Sequence, residues 1–258
     1  MSFWIFALTI PQPLVSVTPS PPTEDNMRPA IKVTRVAALL RKSYGPRRQQ
    51  RRRDNPLDSL IYTLLSQNTS DLNSQRAYAS LRRRFPLWED VHRASLRELI
   101  SAIRTGGLAN IKAVRIKALL EEIWGDQGHF DLSFLRDLSY EEVEAYLGRF
   151  KGLSRKTIAC VLLFGLGRAA FPVDTHIFRV SRRLGLLNGQ LTPEKAQEFL
   201  EPRIPSGDRY ALHLHLVEHG RQVCKPQRPQ CGECVLARVC DYVRKSGKAG
   251  GTERSRIC

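Results

Sequence analysis

Four cysteines lie close together near the C-terminus and could bind a metal ion or an iron–sulfur cluster. They are Cys224, Cys231, Cys234 and Cys240, spaced as C-x6-C-x2-C-x5-C. Cysteine thiolates select soft metals and iron–sulfur clusters, and zinc sites built from four cysteines are a common alternative. Zinc ribbons usually use two CxxC pairs, whereas this stretch contains one, so the spacing favours an iron–sulfur cluster. Cys160, on an apolar helix face, and Cys258, in a basic tail, are not expected to be ligands.

Lys156 is a candidate nucleophile because of its position in the segment GLSRKT at residues 152–157. A helix is predicted to end near Gly148, and a tight turn at 152–154 starts a second helix, whose first turn contains Lys156. The positive end of a helix dipole disfavours the ammonium form of a lysine, and a Schiff-base nucleophile must be a neutral amine. The alternative is a simple helix–helix connection with a solvated Arg-Lys pair.

The same turn could bind a phosphate group. Free backbone N–H groups point outward at the start of the second helix, and the helix dipole also favours an anion there. Gly152, Ser154, Arg155 and Thr157 are therefore candidate contacts to a nucleic-acid backbone. Contacts of this kind grip DNA without reading its sequence.

Asp174 is the candidate catalytic carboxylate. It stands in the segment VDTH at residues 173–176, where the chain enters an amphipathic helix that includes Ile177 and Leu184. As a structural residue it would simply cap that helix, which is a common role for aspartate. As a functional residue it could deprotonate Lys156 or stabilise positive charge that develops on a sugar carbon.

The composition fits a globular protein with an anionic partner. Of 258 residues, 42% are hydrophobic, and 41 Lys and Arg against 25 Asp and Glu give a formal charge of +16. Such an excess favours polyanions; nucleic acid is the first candidate and an anionic membrane surface the second. No apolar run reaches the eighteen or so residues that span a bilayer, and the apolar residues 1–10 lack the flanking features of a signal peptide.

The apolar periodicity is helical almost throughout, which predicts an all-α fold of about ten short helices. Helix starts are indicated by Asn55-Pro56, Thr69 or Ser70, the capping-box pairs Ser95/Glu98 and Ser139/Glu142, and Thr192-Pro193. The first helix is predicted over residues 31–44 and a basic loop over 47–54. The Pro-, Ser- and Thr-rich residues 11–29 are expected to be disordered. Alternatively, residues 1–26 are a mis-assigned extension ahead of Met27.

Three histidines crowd one helical segment, at His213, His215 and His219. The i, i+4 spacing of His215 and His219 can bind zinc on a helix. Leu216 follows His215, in place of the glutamate of an HExxH motif, so we expect packing and hydrogen-bonding roles.

Four features, in order, resemble endonuclease III, the bifunctional branch of the helix-hairpin-helix DNA glycosylases. They are LLSQNTSD at 64–71, GLSRKT at 152–157, VDTH at 173–176 and the four-cysteine spacing. The resemblance covers about residues 31–242 and implies two all-α lobes flanking a DNA-binding groove. One is a six-helix barrel with the helix-hairpin-helix motif, at 56–164. The other is an iron–sulfur domain of 30–55 with 165–243, leaving 1–29 and a basic tail, 244–258, outside the lobes.

The resemblance also implies a reaction. An enzyme of this family removes a damaged base, such as an oxidised pyrimidine, and cuts the strand 3′ to the abasic site by β-elimination. Lys156 would attack C1′ of a flipped nucleotide, Asp174 would be the essential aspartate, and the four cysteines would hold a [4Fe-4S] cluster. Flipping is needed because C1′ is inaccessible in a stacked duplex. The implied partner is double-stranded DNA with a damaged base or abasic site, bound by a monomer in the cytoplasm, at the nucleoid and not at a membrane.

Two loops would enter the duplex according to the same resemblance. Leu108, in the segment GLAN at 107–110, is the candidate wedge. Asn68, with Gln67 beside it, stands where the family usually has a glutamine that fills the vacated stack. His176 completes the set of predicted DNA contacts.

The chain departs from the family pattern in its hairpin. The family usually has a proline before the first glycine and a second glycine later, where this chain has Lys151 and Ser154. If the second position required a positive φ, Ser154 would be strained by about 1 kcal/mol. The shorter Asn68 could also change the lesion or opposite-base preference.

Two other functions are alternatives to a glycosylase with lyase activity. Monofunctional glycosylases such as the adenine-mismatch enzymes lack a lysine at the position of Lys156. They also carry an extra C-terminal domain, which is not expected in a chain of 258 residues. A catalytically idle, DNA-binding or redox-sensing iron–sulfur protein would need neither Lys156 nor Asp174.

Overall fold

The computed structural model describes residues 24–49, 55–187, 189 and 191–246, with side chains from residue 30 onward. The regular elements of this part of the chain are helices, with no strand among the described residues. The predicted all-α fold is therefore confirmed. The α-helices are α1 (Glu24–Tyr44), α2 (Pro56–Ser66), α3 (Asp71–Arg84), α4 (Trp88–Arg93), α5 (Leu96–Ile103), α6 (Ala109–Gln127), α7 (Tyr140–Gly148), α8 (Arg155–Cys160), α9 (Thr175–Leu184), α10 (Pro193–Leu200), α11 (Ser206–Gln222) and α12 (Asp241–Ser246).

The predicted helix starts carry the expected caps. Asn55, Ser70 and Thr192 each accept a hydrogen bond from a backbone N–H in the first turn of α2, α3 and α10, respectively. The capping boxes that begin at Ser95 and Ser139 are present at the starts of α5 and α7. These side chains satisfy N–H groups that have no partner within their helix. Local sequence therefore fixes where these helices begin.

The first helix is longer than the sequence predicts. α1 begins at Glu24 rather than at residue 31, so residues 24–29, expected to be disordered, form its first turns. Residues 1–23, residues 50–54 of the predicted basic loop and residues 247–258 of the basic tail lie outside the described residues.

Buried apolar side chains form two clusters, which define two lobes. The cluster of the first lobe lies between Leu57 and Ala170 and is built from α2 to α8. The cluster of the second lobe combines Val33 to Leu40 of α1 with residues between Phe171 and Leu236. α1 packs beside α11, although the two are far apart in sequence. The domain boundaries implied by the resemblance stay a prediction.

Within the described residues, no helix combines the length and the apolar character that crossing a membrane requires.

Candidate active site

The predicted hairpin connects α7 to α8 in the first lobe. Gly152 has φ +86°, a left-handed conformation that glycine adopts at little cost. Ser154 has φ −74° and ψ 158°, and its hydroxyl oxygen accepts a hydrogen bond from the backbone N–H of Thr157 at 3.3 Å. The strain considered for Ser154 therefore does not arise. The serine is the N-cap of α8, so the departure from the family glycine is compatible with the turn.

Lys156 and Asp174 come from different lobes. Lys156 is the second residue of α8 and its side chain is exposed. Asp174 is the N-cap of α9, and its Oδ1 accepts a hydrogen bond from the backbone N–H of Ile177 at 2.7 Å. Asp174 therefore caps α9, as its structural role predicts. The cap uses Oδ1 and does not involve the second carboxylate oxygen, Oδ2.

Two buried groups lie within electrostatic reach of both Lys156 and Asp174. Burial raises the pKa of the Cys160 thiol to about 12, with the charge of Lys156 lowering it and that of Asp174 raising it. Burial lowers the pKa of His213 to about 4, while the charge of Asp174 raises it and that of Lys156 lowers it. Both charges act on the same thiol and the same imidazole, so Lys156 and Asp174 each lie within electrostatic range of these two groups.

His213, for which the sequence predicts a packing and hydrogen-bonding role, lies beside the candidate site. Its Nδ1 lies 3.0 Å from the carbonyl oxygen of Pro172, two residues before Asp174, and its ring packs edge-on against Phe164 and Phe171. With a pKa of about 4 the imidazole is neutral at pH 7, so Nδ1 carries a hydrogen and donates it to that carbonyl. His213 thereby holds the segment that leads into Asp174, as the predicted hydrogen-bonding role requires.

The two loops expected to enter DNA share an unusual backbone conformation. Asn68 has φ +51° and is exposed; Leu108 has φ +50° and is 52% exposed, a high value for a leucine. Left-handed conformations cost a non-glycine residue roughly 1–2 kcal/mol, and such residues cluster at functional sites. The exposed position of both side chains fits the roles that the resemblance implies for them.

Gln67 links these loops to the hairpin. Its Nε2 donates to the hydroxyl oxygen of Thr157 at 3.3 Å, and its Oε1 accepts from the guanidinium of Arg115 at 3.3 Å. Thr157 is buried, with its hydroxyl also 3.0 Å from that of Ser154. The side chain of Thr157 is therefore not exposed for the predicted contact with DNA. Its hydroxyl instead connects the hairpin to Gln67.

Arg155 and His176 have partners within the protein. The guanidinium of Arg155 pairs with Glu144 at 3.1 Å and also with Glu198. The Nδ1 of His176 lies 3.1 Å from Nη2 of Arg179. Contacts of these two residues to DNA stay predictions, and Arg155 would have to exchange a carboxylate for a phosphate.

An ion pair that the sequence did not predict joins the two lobes. Nη1 of Arg221, on α11, lies 2.5 Å from Oδ2 of Asp71, on α3, and Nη2 lies 3.0 Å from Oδ1. The hydrogen bond to Asp71 raises the pKa of Arg221, and the charge of Asp174 raises it further. The pair therefore lies in the same region as the predicted catalytic carboxylate.

The four cysteines near the C-terminus line one small cavity together with Arg183 and Tyr242. No disulfide joins the described cysteines. Four thiols around a shared cavity have the chemistry to hold a soft metal ion or an iron–sulfur cluster. Among the described residues, no group of three or more His, Cys, Asp or Glu is arranged to hold a metal ion as it stands.

The comparisons with known proteins agree with this geometry. Residues 61–206 match the family described as HhH-GPD superfamily base excision DNA repair protein. The chain belongs to the HhH-GPD superfamily. This member is 34% identical over 205 residues to endonuclease III of Thermotoga maritima, covering 78% of this chain and 89% of that protein. Its resemblance to endonuclease III, expected from four sequence segments, is confirmed.

One further relative and one solved structure are similar to this HhH-GPD protein. It is 44% identical over 168 residues to an Arabidopsis thaliana protein that carries the name of a DNA glycosylase, covering 65% of this chain but only 57% of that protein. Its structure also superposes on endonuclease III from a non-covalent complex with DNA. The TM-score is 0.71 at 26% identity, and the match covers 84% of this chain and 98% of that one.

Proposed function

We propose that this protein is a base-excision-repair DNA glycosylase with AP lyase activity. One observation carries the proposal: Lys156 from the first lobe and Asp174 from the second act on the same buried thiol and imidazole. An amine and a carboxylate are the two groups that nucleophilic removal of a base requires, and their shared electrostatic range supports assigning these roles to Lys156 and Asp174. Family membership and the similarity to endonuclease III support the same reaction.

The reaction has two stages. After the damaged nucleotide is flipped out, the nitrogen of Lys156 bonds to C1′ while the bond from C1′ to the base breaks and the base leaves with a proton. Asp174 takes the proton of the attacking amine and stabilises positive charge on the sugar. The bond from C1′ to the ring oxygen O4′ then breaks, O4′ takes up a proton, and an imine forms between C1′ and the nitrogen of Lys156. This imine makes a C2′ proton acidic; loss of that proton breaks the C3′–O bond, the phosphate leaves, and water releases the lysine. The overall outcome is a freed base and a strand cut 3′ to the sugar.

The proposed partner is double-stranded DNA that contains a damaged base, with oxidised pyrimidines as the substrate class, or an abasic site. Asn68 and Leu108 are exposed in left-handed turns from which they can enter the duplex. The backbone N–H groups at the start of α8 and the excess positive charge of +16 favour phosphate contacts. We therefore expect DNA affinity to fall steeply with salt.

A [4Fe-4S] cluster is proposed for the cavity lined by Cys224, Cys231, Cys234 and Cys240. When bound, such a cluster would link the chain after α11 to the start of α12. The intervening residues include the basic Lys225 and Arg228, and Arg228 itself has φ +49°. The cysteine ligands would thereby keep this basic loop in a fixed shape, and we assign the cluster no step of the reaction.

Borohydride trapping on a duplex with an abasic site tests the proposal, with base release from a lesion duplex measured alongside. The wild-type protein is expected to form a covalent adduct that Lys156→Ala abolishes. Lys151→Ala is the matched control, because it removes a lysine of the same exposed hairpin and should retain the adduct. Base release without trapping would indicate a monofunctional glycosylase. DNA binding with neither reaction would leave only a binding protein.

A further inference from the structure

Lys112 is a buried lysine with three hydrogen-bond acceptors around its ammonium group. The residue is 4% exposed. Its Nζ donates to the carbonyl oxygen of Leu65 at 2.6 Å, to the hydroxyl of Thr69 at 2.6 Å and to the carbonyl oxygen of Gly106 at 2.8 Å. An ammonium group has three donors, so each has a partner. A charged group rarely lies this deep unless its bonds are all satisfied.

The three acceptors belong to the two loops that carry the predicted DNA-entering side chains. Leu65 and Thr69 flank Asn68 in the chain, and Gly106 stands two residues before Leu108. Thr69 strengthens the connection, because its hydroxyl also contacts the carbonyl oxygen of Gly106 directly. The ammonium of Lys112 and the hydroxyl of Thr69 thus connect the two loops by hydrogen bonds.

Lys112 also sets the start of the helix behind Leu108. Leu108 is the N-cap residue of α6, and the backbone N–H of Lys112 donates to its carbonyl oxygen at 3.0 Å. Lys112 therefore contacts the turn of Leu108 through both its backbone and its side chain. Because Asn68 and Leu108 are both held at positive φ, their backbones need outside contacts to keep that conformation.

We propose that Lys112 is a positioning residue that holds the loop of Asn68 and the turn of Leu108 as one unit, so that both side chains enter a damaged duplex together. This inference rests on the proposed function. It predicts a specific defect: a protein without this ammonium still grips DNA phosphates but no longer recognises a site from which a base is missing. Electrostatic contacts with phosphates are independent of the loops.

Lys117 provides a matched control on the same helix. Its Nζ also donates to backbone carbonyls, those of His92 and of Ala94, the latter at 2.9 Å. These carbonyls lie at the end of α4, away from the two loops. Lys112→Met and Lys117→Met therefore remove the same charge and the same kind of ammonium–carbonyl bond. The first variant loses these bonds at the two loops, and the second loses them at the end of α4.

The test compares affinities for an undamaged duplex and for a duplex with a tetrahydrofuran abasic analogue, which cannot be cleaved. Wild type and Lys117→Met should prefer the analogue. Lys112→Met should lose roughly tenfold or more of that preference, equivalent to about 1.4 kcal/mol, and retain its affinity for the undamaged duplex. Its rate of base release should fall by up to about a hundredfold, as small misplacements of reacting groups can cause.

Other outcomes are decisive as well. If Lys112→Met keeps the full preference, or loses affinity for both duplexes equally, the inference is wrong. If Lys112→Met does not fold, Thr69→Val takes its place, because it removes the shared hydroxyl and keeps the shape of the side chain. A retained preference in that variant also overturns the inference. If the wild-type protein neither prefers the analogue nor forms a trapped adduct, the proposed function fails, and this inference fails with it.

Discussion

Arg221 of α11 holds Asp71 of α3 through two parallel hydrogen bonds, and this ion pair connects the lobes that carry Lys156 and Asp174. Side chains of opposite lobes thus meet beside the predicted catalytic carboxylate, whose charge also acts on Arg221. Both partners are about half exposed, at 45% and 56%. Their arrangement matters more for the alignment of the lobes than for folding.

We expect Arg221→Ala to lower the free energy of unfolding by less than about 1 kcal/mol, as exposed ion pairs generally contribute no more. Base release should nevertheless slow by about tenfold, or 1.4 kcal/mol in the activation barrier, because a charge near Asp174 is lost. Denaturant titration and single-turnover kinetics measure the two effects. Arg41→Ala is the control, since the Arg41–Asp208 pair lies within the second lobe. Equal slowing in both variants would contradict the prediction.

Asp174→Asn separates the two roles of Asp174. Asparagine caps helices about as well as aspartate, so the bond to the N–H of Ile177 and the stability of α9 should be kept, with a change of less than about 0.5 kcal/mol. Loss of the carboxylate should slow adduct formation by about 10²–10⁴-fold, the usual contribution of an acid–base group. Thermal unfolding and borohydride trapping measure these outcomes. If the variant formed the trapped adduct as fast as the wild type, Asp174 would have no catalytic role and would only cap α9.

The cysteine site is tested by metal content and colour. Wild-type protein should contain about four irons per chain and absorb broadly in the visible range. Cys234→Ser should lose both, because Cys234 lines the cavity. Cys160→Ala should keep both, because that thiol lies near Lys156 and Asp174 instead. Colourless wild-type protein with one zinc would refute the cluster.

The histidine beside the active site makes stability depend on pH. Burial holds the pKa of His213 at about 4, below the usual 6.5. Between these values the unfolded chain binds a proton that the folded chain does not, so stability falls as the pH falls from 6.5 towards 4. The contribution of His213 at pH 5 is a loss of roughly 2 kcal/mol relative to pH 7.5. Urea titrations of wild type and His213→Asn at both pH values measure it, and the variant should lose less stability.

The sequence predicts well what neighbouring residues determine. Ser95 and Ser139 cap their helices as expected, because a capping box needs only residues three positions apart. The conformation of Ser154 does not follow from the family pattern, because the family has a glycine there and glycine can adopt a positive φ. The ordinary preference of serine for N-cap positions decides it.

Long-range partnerships could not be predicted in the same way. The sequence contains 41 Lys and Arg residues, and nothing local distinguishes Lys112, which is buried, or Arg221, which finds Asp71 across 150 positions. Their partners become neighbours only once the lobes have formed. The sequence feature nearest to Lys112 is the segment GLAN at 107–110, which indicates a location but no contact.

The pairing of α1 with α11 has a consequence for biosynthesis. All the helices of the first lobe are translated before α11, so that lobe has its complete core while α1 still lacks its neighbour. Val33 and Leu40, which the finished protein buries, remain uncovered during this interval. Domains generally fold as units as they leave the ribosome, and here the first of the described helices is covered only after one of the last has been translated. Chaperone dependence of the nascent chain should accordingly be concentrated on α1.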